Sequence, residues 1–225
     1  ICEELTKLLC GPDAAAVLRQ YPEAAGAALP EILPMVGFDQ RNPHHCYDVW
    51  EHTLHALDAI RPEPLLRWAM LFHDMGKPVC RETDERGIDH FHGHPQVSEE
   101  ITGKVLRRLK FDNDTVYMVK KLVRYHDQYI PADERGVRRA MWRVGEDAFP
   151  LLLQVKKADM EAQSTFLIEE KEKNLQEVGR IYQEILEKKQ CVSLKTLAVN
   201  GKDLMDEAGY VPGKELGTIL QELLQ

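Results

Sequence analysis

Among its 225 residues the chain has no apolar run approaching the roughly 18–20 that a membrane-crossing helix needs. The opening stretch, ICEELTKLLC, lacks the basic start and apolar stretch of a secretory signal. It also lacks an initiator methionine, so a piece of a longer protein is expected. Cysteine is sparse: Cys2, Cys10, Cys46, Cys80 and Cys191 are odd in number, scattered, and never in a C-x-x-C pair. That argues against a disulfide framework and for ordinary thiols in a reducing, cytoplasmic compartment. Positive charge is the minority sign, with 29 Lys and Arg against 37 Asp and Glu, a net charge of −8. A protein that grips RNA with its whole surface would be basic, because phosphate neutralisation drives that affinity. Any nucleic-acid contact must therefore come from a local patch or from chain lying elsewhere. Aromatics are few as well, at 7%, and period-two alternation is weak, which disfavours strands.

What remains is 44% hydrophobic, enough for a packed core and too much for a disordered chain. A chain of this length buries roughly 70–75% of its unfolded surface and needs no disulfide or metal staple. Apolar residues recur mostly at spacings of three and four, so the expected fold class is all-α. Short helices are expected over 1–10 and 12–20, broken at Gly11-Pro12, followed by a proline-punctuated run of turns over 21–45. A firm helix should start at Asp48, which can cap while Glu51 completes a capping box. Further helices are expected over 64–76, 95–110, 114–126, 135–144, from Asp147 through Asp159, and over 166–189. Two short ones should occupy the tail, 194–225. In the long helix, Leu175, Val178, Ile181 and Ile185 mark a packing face, and the run Glu169-Glu170-Lys171-Glu172-Lys173 reads as its solvated side.

Metal-competent side chains fall on the faces that should be apolar. Val49, His52, Ala56 and Ala59 share one helix side; Leu66, Ala69 and His73 share another, with Asp74 next. Val116, Val119, Val123 and His126 align, as do Leu152, Val155 and Asp159. Any one of these alone reads first as a buried polar residue with an ordinary hydrogen bond. Several helices doing so together point to a shared partner, and a divalent cation satisfies several ligands at once. Asp74 adds to this. It follows an apolar helix whose C-terminal end already carries partial negative charge, so a cation is expected close by. His44, His45 and His55 read as surface or turn residues.

The order His52, then His73-Asp74, then Asp159, with the wording LFHDMGKP, resembles the signature of the HD-domain metal-dependent phosphohydrolases. That resemblance implies that these four residues ligate one metal, and that His94 and His126 hold a second. His94 is preferred because it opens a helix, although His90 or His92 nearby could take its place. It further implies Lys77 beside a substrate phosphate, Asp74 and Lys77 as the catalytic pair, and a divalent ion: Mn, Fe, Ni, Co, Zn or Mg, one or two per chain. Longer segments narrow the likeness. YDVWEHTLHAL, HFHGHPQVSEEITGKVLRRLKFDND, KKADMEAQS and LAVNGKDLMDEAGYVPGKELGTIL resemble the C-terminal part of bacterial CCA-adding tRNA nucleotidyltransferases. The likeness extends over essentially the whole chain.

That family's catalytic head, with a glycine-rich nucleotide loop and paired metal-binding aspartates, has no counterpart here. Asp112-Asn113-Asp114 precedes a helix and reads as a cap. Nucleotide addition is therefore not expected of this piece alone. The resemblance implies a hydrolase acting on phosphate esters or nucleotides such as 2′,3′-cyclic nucleotides or tRNA 3′ ends. Its alternative is a non-catalytic body and tail that positions tRNA. Lys104, Arg107 and Arg108 share one helix face, and Lys120, Lys121 and Arg124 the next. Arg135, Arg138, Arg139 and Arg143 form a third group. These are either solvated faces or a tRNA-backbone surface. Gly213-Lys214 before a helix is read as a turn. The expected division is a helical segment over 1–40, a metal-bearing core over 41–165, and a helical tail over 166–225.

Overall fold

Capping side chains and prolines set the helix boundaries in the computed structural model, which describes residues 1–188 and 199–223. Asp48 accepts from the Glu51 amide and starts α4 (Val49–Ala59). The reciprocal half of the expected capping box does not form; the Glu51 carboxylate instead pairs with Arg19 at 2.9 Å. Pro64 stands in the first turn of α5 (Pro64–Phe72), where a missing N–H costs nothing. Asp112 caps α7 (Asn113–Tyr125) through the Thr115 amide, as its place before the helix implies. Ahead of these lie α1 (Cys2–Cys10), α2 (Ala14–Gln20), α3 (Pro22–Ala28) and a 3-10 turn (Pro30–Met35). After α5 come a second 3-10 turn (Lys77–Val79) and then α6 (His94–Arg108). The order continues with α8 (Glu134–Val144), α9 (Phe149–Glu161), α10 (Ile168–Glu187), α11 (Gly201–Ala208) and α12 (Lys214–Glu222). The all-α expectation holds. Its exception among the described residues is a small antiparallel hairpin, β1 (Glu82–Thr83) with β2 (Asp89–His90), inside the stretch between α5 and α6.

The described residues divide into two compact units. The first comprises residues 1–128 and 151–172. Its central element is α5, which packs against α1, α4, α6 and α7. Leu66, Trp68, Met70, Leu71 and Phe72 are fully buried there. Burying each such side chain stabilises the fold by roughly 1.5–3 kcal/mol. Apart from Arg67, whose Nε donates to the Arg61 carbonyl, α5 is apolar on every side, as a core helix is, and it presents its C-terminal end to the interior. The hairpin is pinned to the loop before α4 through Asp89, whose buried carboxylate receives Arg41 at 3.0 Å and Arg81 at 3.2 Å. Thr83 donates to the same carboxylate.

The second unit comprises residues 129–150 and those from 173 onward. It buries Val137, Met141 and Val144 of α8 and Val178, Ile181 and Ile185 of α10. Phe149 meets Tyr182 with ring centroids 5.1 Å apart. Leu175, expected on the packing face of α10, is only partly covered. The two short helices expected in the tail are α11 and α12, and they pack on one another. Cys191 and the residues around it lie outside the described residues. No described helix is long and apolar enough to cross a membrane.

Candidate metal centre

Four helices of the first unit deliver their odd polar residues to one point. Helix α4 brings His52, the end of α5 brings His73 and Asp74, α6 begins with His94, and α7 ends at His126. All five are at least nine-tenths buried. Asp159 arrives from α9, its carboxylate 2.9 Å from His52 Nε2.

Each histidine is oriented by its own backbone carbonyl. His52 Nδ1 donates to the Ala162 carbonyl at 3.1 Å and His73 Nδ1 to Met70 at 2.7 Å. His94 Nδ1 donates to Phe91 at 2.8 Å and His126 Nδ1 to Val123 at 2.7 Å. A carbonyl can only accept, so each Nδ1 carries a hydrogen; on a neutral ring Nε2 then presents a lone pair, and it donates only when the ring takes up a second proton. Those Nε2 atoms face one another. His52 Nε2 is 3.2 Å from His73 Nε2, and His94 Nε2 is 3.3 Å from His126 Nε2. Two lone pairs at that separation repel unless a cation or a proton lies with them.

Asp74 joins the two pairs. Its Oδ2 lies 3.4 Å from His52 Nε2 and 3.2 Å from His73 Nε2; its Oδ1 lies 3.3 Å from His94 Nε2 and 3.6 Å from His126 Nε2. Thus His52, His73 and Asp74 form one compact donor set, and Asp74, His94 and His126 form another. Neither Asp74 oxygen has a hydrogen-bond partner of proper geometry, although the Lys77 ammonium sits 2.7 Å from Oδ2. Buried oxygens left without hydrogen bonds, facing imidazole lone pairs, fit a divalent cation. The hydrogen-bonded outer nitrogens are the usual supports of such ligands.

The electrostatics are steep. Burial pushes the His73 ring down, but Asp74 and Asp159 outweigh it and raise it to about 10. Burial pushes Asp74 up, but His73 and Lys77 overcome it and hold the carboxyl well below its usual range. Asp159 behaves likewise, through hydrogen bonds from His52 and His73. His126 is pushed down by burial against the pull of Asp74.

Lys77 was expected beside a substrate phosphate. It is 4% exposed, and its ammonium is held by Asp74 and by Gln40 Oε1 at 2.8 Å. The cation expected near Asp74 from the helix-end argument is thus in part Lys77 itself. His90 and His92 do not join the ligand cluster; they line the mouth of the cleft above it. That cleft, about 260 Å³, is also bordered by Asn42, His45, Phe91 and Gln163.

Two readings need correction. His45, read as a surface or turn residue, reaches the site: its ring centroid is 5.3 Å from that of His52 and its Nε2 3.4 Å from Lys77. Its Nδ1 is buried without a partner, and burial, with Lys77 and His52 nearby, pushes it down to about 2. No periodicity could have flagged it, because it lies in a proline-marked turn. Lys171, read as part of a solvated run, turns inward to Gln163 at 2.6 Å, and Gln163 in turn reaches Asp159 at 3.3 Å.

The basic groups fare unevenly. Arg108 is paired with Glu31, Lys120 and Arg124 with Glu99, and Lys121 covers the Tyr117 ring. Lys104 and Arg107 remain exposed on α6. In the second unit Arg135, Arg139 and Arg143 are exposed at four-residue spacing along α8, beside Trp142.

Comparison with known proteins fits the C-terminal likeness. The chain is 36% identical to the CC-adding tRNA nucleotidyltransferase of Thermus thermophilus, over 99% of its own length and 51% of the relative's. It is 34% identical to the A-adding tRNA nucleotidyltransferase of Deinococcus radiodurans, over 99% of this chain and 52% of that one. A multifunctional CCA protein of Legionella pneumophila is 30% identical over 46% of this chain and 26% of its own. The chain spans about half the length of the first two relatives. The family model described as tRNA nucleotidyltransferase domain 2 matches residues 82–225. With well over half of its residues inside that match, the chain belongs to the tRNA nucleotidyltransferase domain 2 family.

Proposed function

We propose that the chain is a metal-dependent phosphohydrolase module of a tRNA nucleotidyltransferase, working in a cytoplasmic setting, with its metal-bearing core over residues 41–165. The observation that carries this reading is the two facing pairs of imidazole lone pairs joined by a buried aspartate. His52, His73, Asp74 and Asp159 would hold one divalent ion, and Asp74, His94 and His126 a second. Mixed nitrogen and carboxylate donors suit Mn, Fe, Ni, Co or Zn better than Ca. When bound, such an ion lowers the pKa of a water ligand and polarises a phosphoryl oxygen.

The remaining work falls to the chain itself. Asp74 sets the spacing of the two sites by offering one oxygen to each. Lys77, which lines the cleft beside Asp74 Oδ2, would offer its charge to a non-bridging phosphate oxygen. Gln40 keeps the ammonium from swinging away. The walls of the cleft admit a small phosphate ester while its mouth stays open to solvent. The substrates proposed are 2′,3′-cyclic nucleotides, phosphomonoesters or a tRNA 3′ end. The test is turnover of bis(p-nitrophenyl) phosphate and 2′,3′-cAMP by the chelated chain after reloading with Mn, Ni, Co or Mg. Hydrolysis with at least one ion is expected; a chain inert with all four is not a hydrolase.

A second reading has its own support. The chain can act as the non-catalytic body and tail that positions tRNA for a nucleotidyltransferase head. The family match runs to residue 225, beyond the metal centre, and α8 carries an exposed arginine stripe beside Trp142. Arginines spaced to follow a phosphate backbone and an aromatic face for stacking suit RNA. Replacing Arg135, Arg139 and Arg143 with Ala should weaken tRNA binding and flatten its salt dependence by up to about three charges, leaving metal content unchanged.

A further inference from the structure

The hairpin between α5 and α6 carries groups that the metal centre does not use. His90 belongs to β2 and lines the same cleft as Asp74, Lys77 and His126. Its Nε2 lies 3.0 Å from Asp84 Oδ2. Asp84 has little freedom, because its other oxygen accepts from the backbone amides of Arg86 and Ile88 at 2.9 and 3.0 Å. An ionised carboxylate can only accept, so the bond places a hydrogen on His90 Nε2 and leaves Nδ1 for a second partner. The strands beneath are anchored by Asp89 on Arg41 and Arg81, so the pair is carried on a fixed base at the cleft mouth. His92 lies parallel to His90, ring centroids 5.7 Å apart.

We propose that His90, oriented by Asp84, is the proton donor to the leaving group of the phosphate ester cleaved in this cleft. This rests on the hydrolase reading above. Hydrolysis forms a bond from a water oxygen to phosphorus and breaks the bond from phosphorus to the leaving oxygen. The departing oxygen must gain a proton, which His90 gives from Nδ1. The attacking water loses its own proton to solvent, and His90 regains one from solvent through the open mouth. Protons therefore balance over the cycle and no further reactant is needed. Asp84 is a positioning residue: it fixes the tautomer and the orientation of the ring.

The test compares wild type, His90→Gln and Asp84→Asn on two diesters differing in leaving group, bis(p-nitrophenyl) phosphate and diphenyl phosphate. A poor leaving group depends on the proton and a good one less so. The His90→Gln loss should therefore be at least tenfold greater on diphenyl phosphate, and Asp84→Asn should shift in the same sense by less. Equal losses on both diesters would mark His90 as structural and overturn the proposal. A wild-type chain inert on every ester would remove both this proposal and the hydrolase reading. An active wild type with equal losses would remove this proposal alone. A readout independent of turnover is the histidine nitrogen NMR spectrum of the full chain without metal. Neutral His90 should carry its hydrogen on Nε2 in wild type and become a tautomer mixture in Asp84→Asn. A wild-type ring protonated on Nδ1 alone would also overturn the assignment.

Discussion

At Asp74 a buried carboxylate faces four imidazole nitrogens and one ammonium. Because Lys77 and His73 balance it when no metal is bound, its removal strands buried positive charge. Asp74→Ala should therefore cost about 3–5 kcal/mol in chelator, the usual penalty for breaking a buried pair, and should also lose metal binding. Thermal melts with and without added Mn measure both effects. An unchanged metal-induced rise in Tm would remove Asp74 from the site. The titrations of His73 and His45 set a second expectation, in opposite directions. His73, raised to about 10, keeps when folded a proton that the unfolded ring releases near 6.5. Its contribution is full below pH 6.5 and is lost as pH rises toward 10. His45, pushed down to about 2, refuses a proton that the unfolded ring takes up. Its contribution is lost as pH falls from 6.5 toward 2, and Asp74 and Asp159 add to that acid loss below their ordinary value of 3.8. In chelator, stability should thus peak near pH 6.5. With metal bound, His73 has no such proton to release, and the fall between pH 6.5 and 9 should vanish. Calorimetry over that range checks it; identical alkaline slopes with and without metal would contradict it.

The helices were the most legible elements, because apolar spacing and caps act locally. The His52, His73 and His126 faces could be read from side chains three and four apart, and the end of α5 from the apolar run WAMLF before His73. Less legible were features fixed by distant partners. Glu51 left its capping box for Arg19, the hairpin formed around Asp89 and two arginines, and His45 reached the site from a turn with no period. Lys171 turned inward because Gln163 and Asp159 lie beneath it. Gly76 shows how tightly the α5 end is set against α6. A Cβ there would lie 2.5 Å from the His94 carbonyl and 2.9 Å from the Ser98 amide, both backbone atoms unable to swing aside. Gly76→Ala should therefore destabilise by about 1–3 kcal/mol, as overpacking does. It should also weaken the site containing His94 more than the one containing His52. Stepwise metal titration of the variant reads the difference, and equal weakening of both steps would contradict this placement.

At the scale of the whole chain, two candidate sites fall in two compact units. The first unit gathers the metal centre, and the second presents the arginine stripe of α8. Net charge gave no hint of that stripe, because 37 acids spread over the chain conceal a few well-placed bases. Every functional reading of the first unit depends on one point: that the facing imidazoles and the shared aspartate bind metal. The most direct test is the metal content of the full chain, chelated, reloaded with excess Mn or Ni, desalted, and measured by inductively coupled plasma mass spectrometry. The account predicts two ions per chain, falling to one when His94 and His126 are both replaced by Ala. A wild-type chain that retains no ion would contradict it.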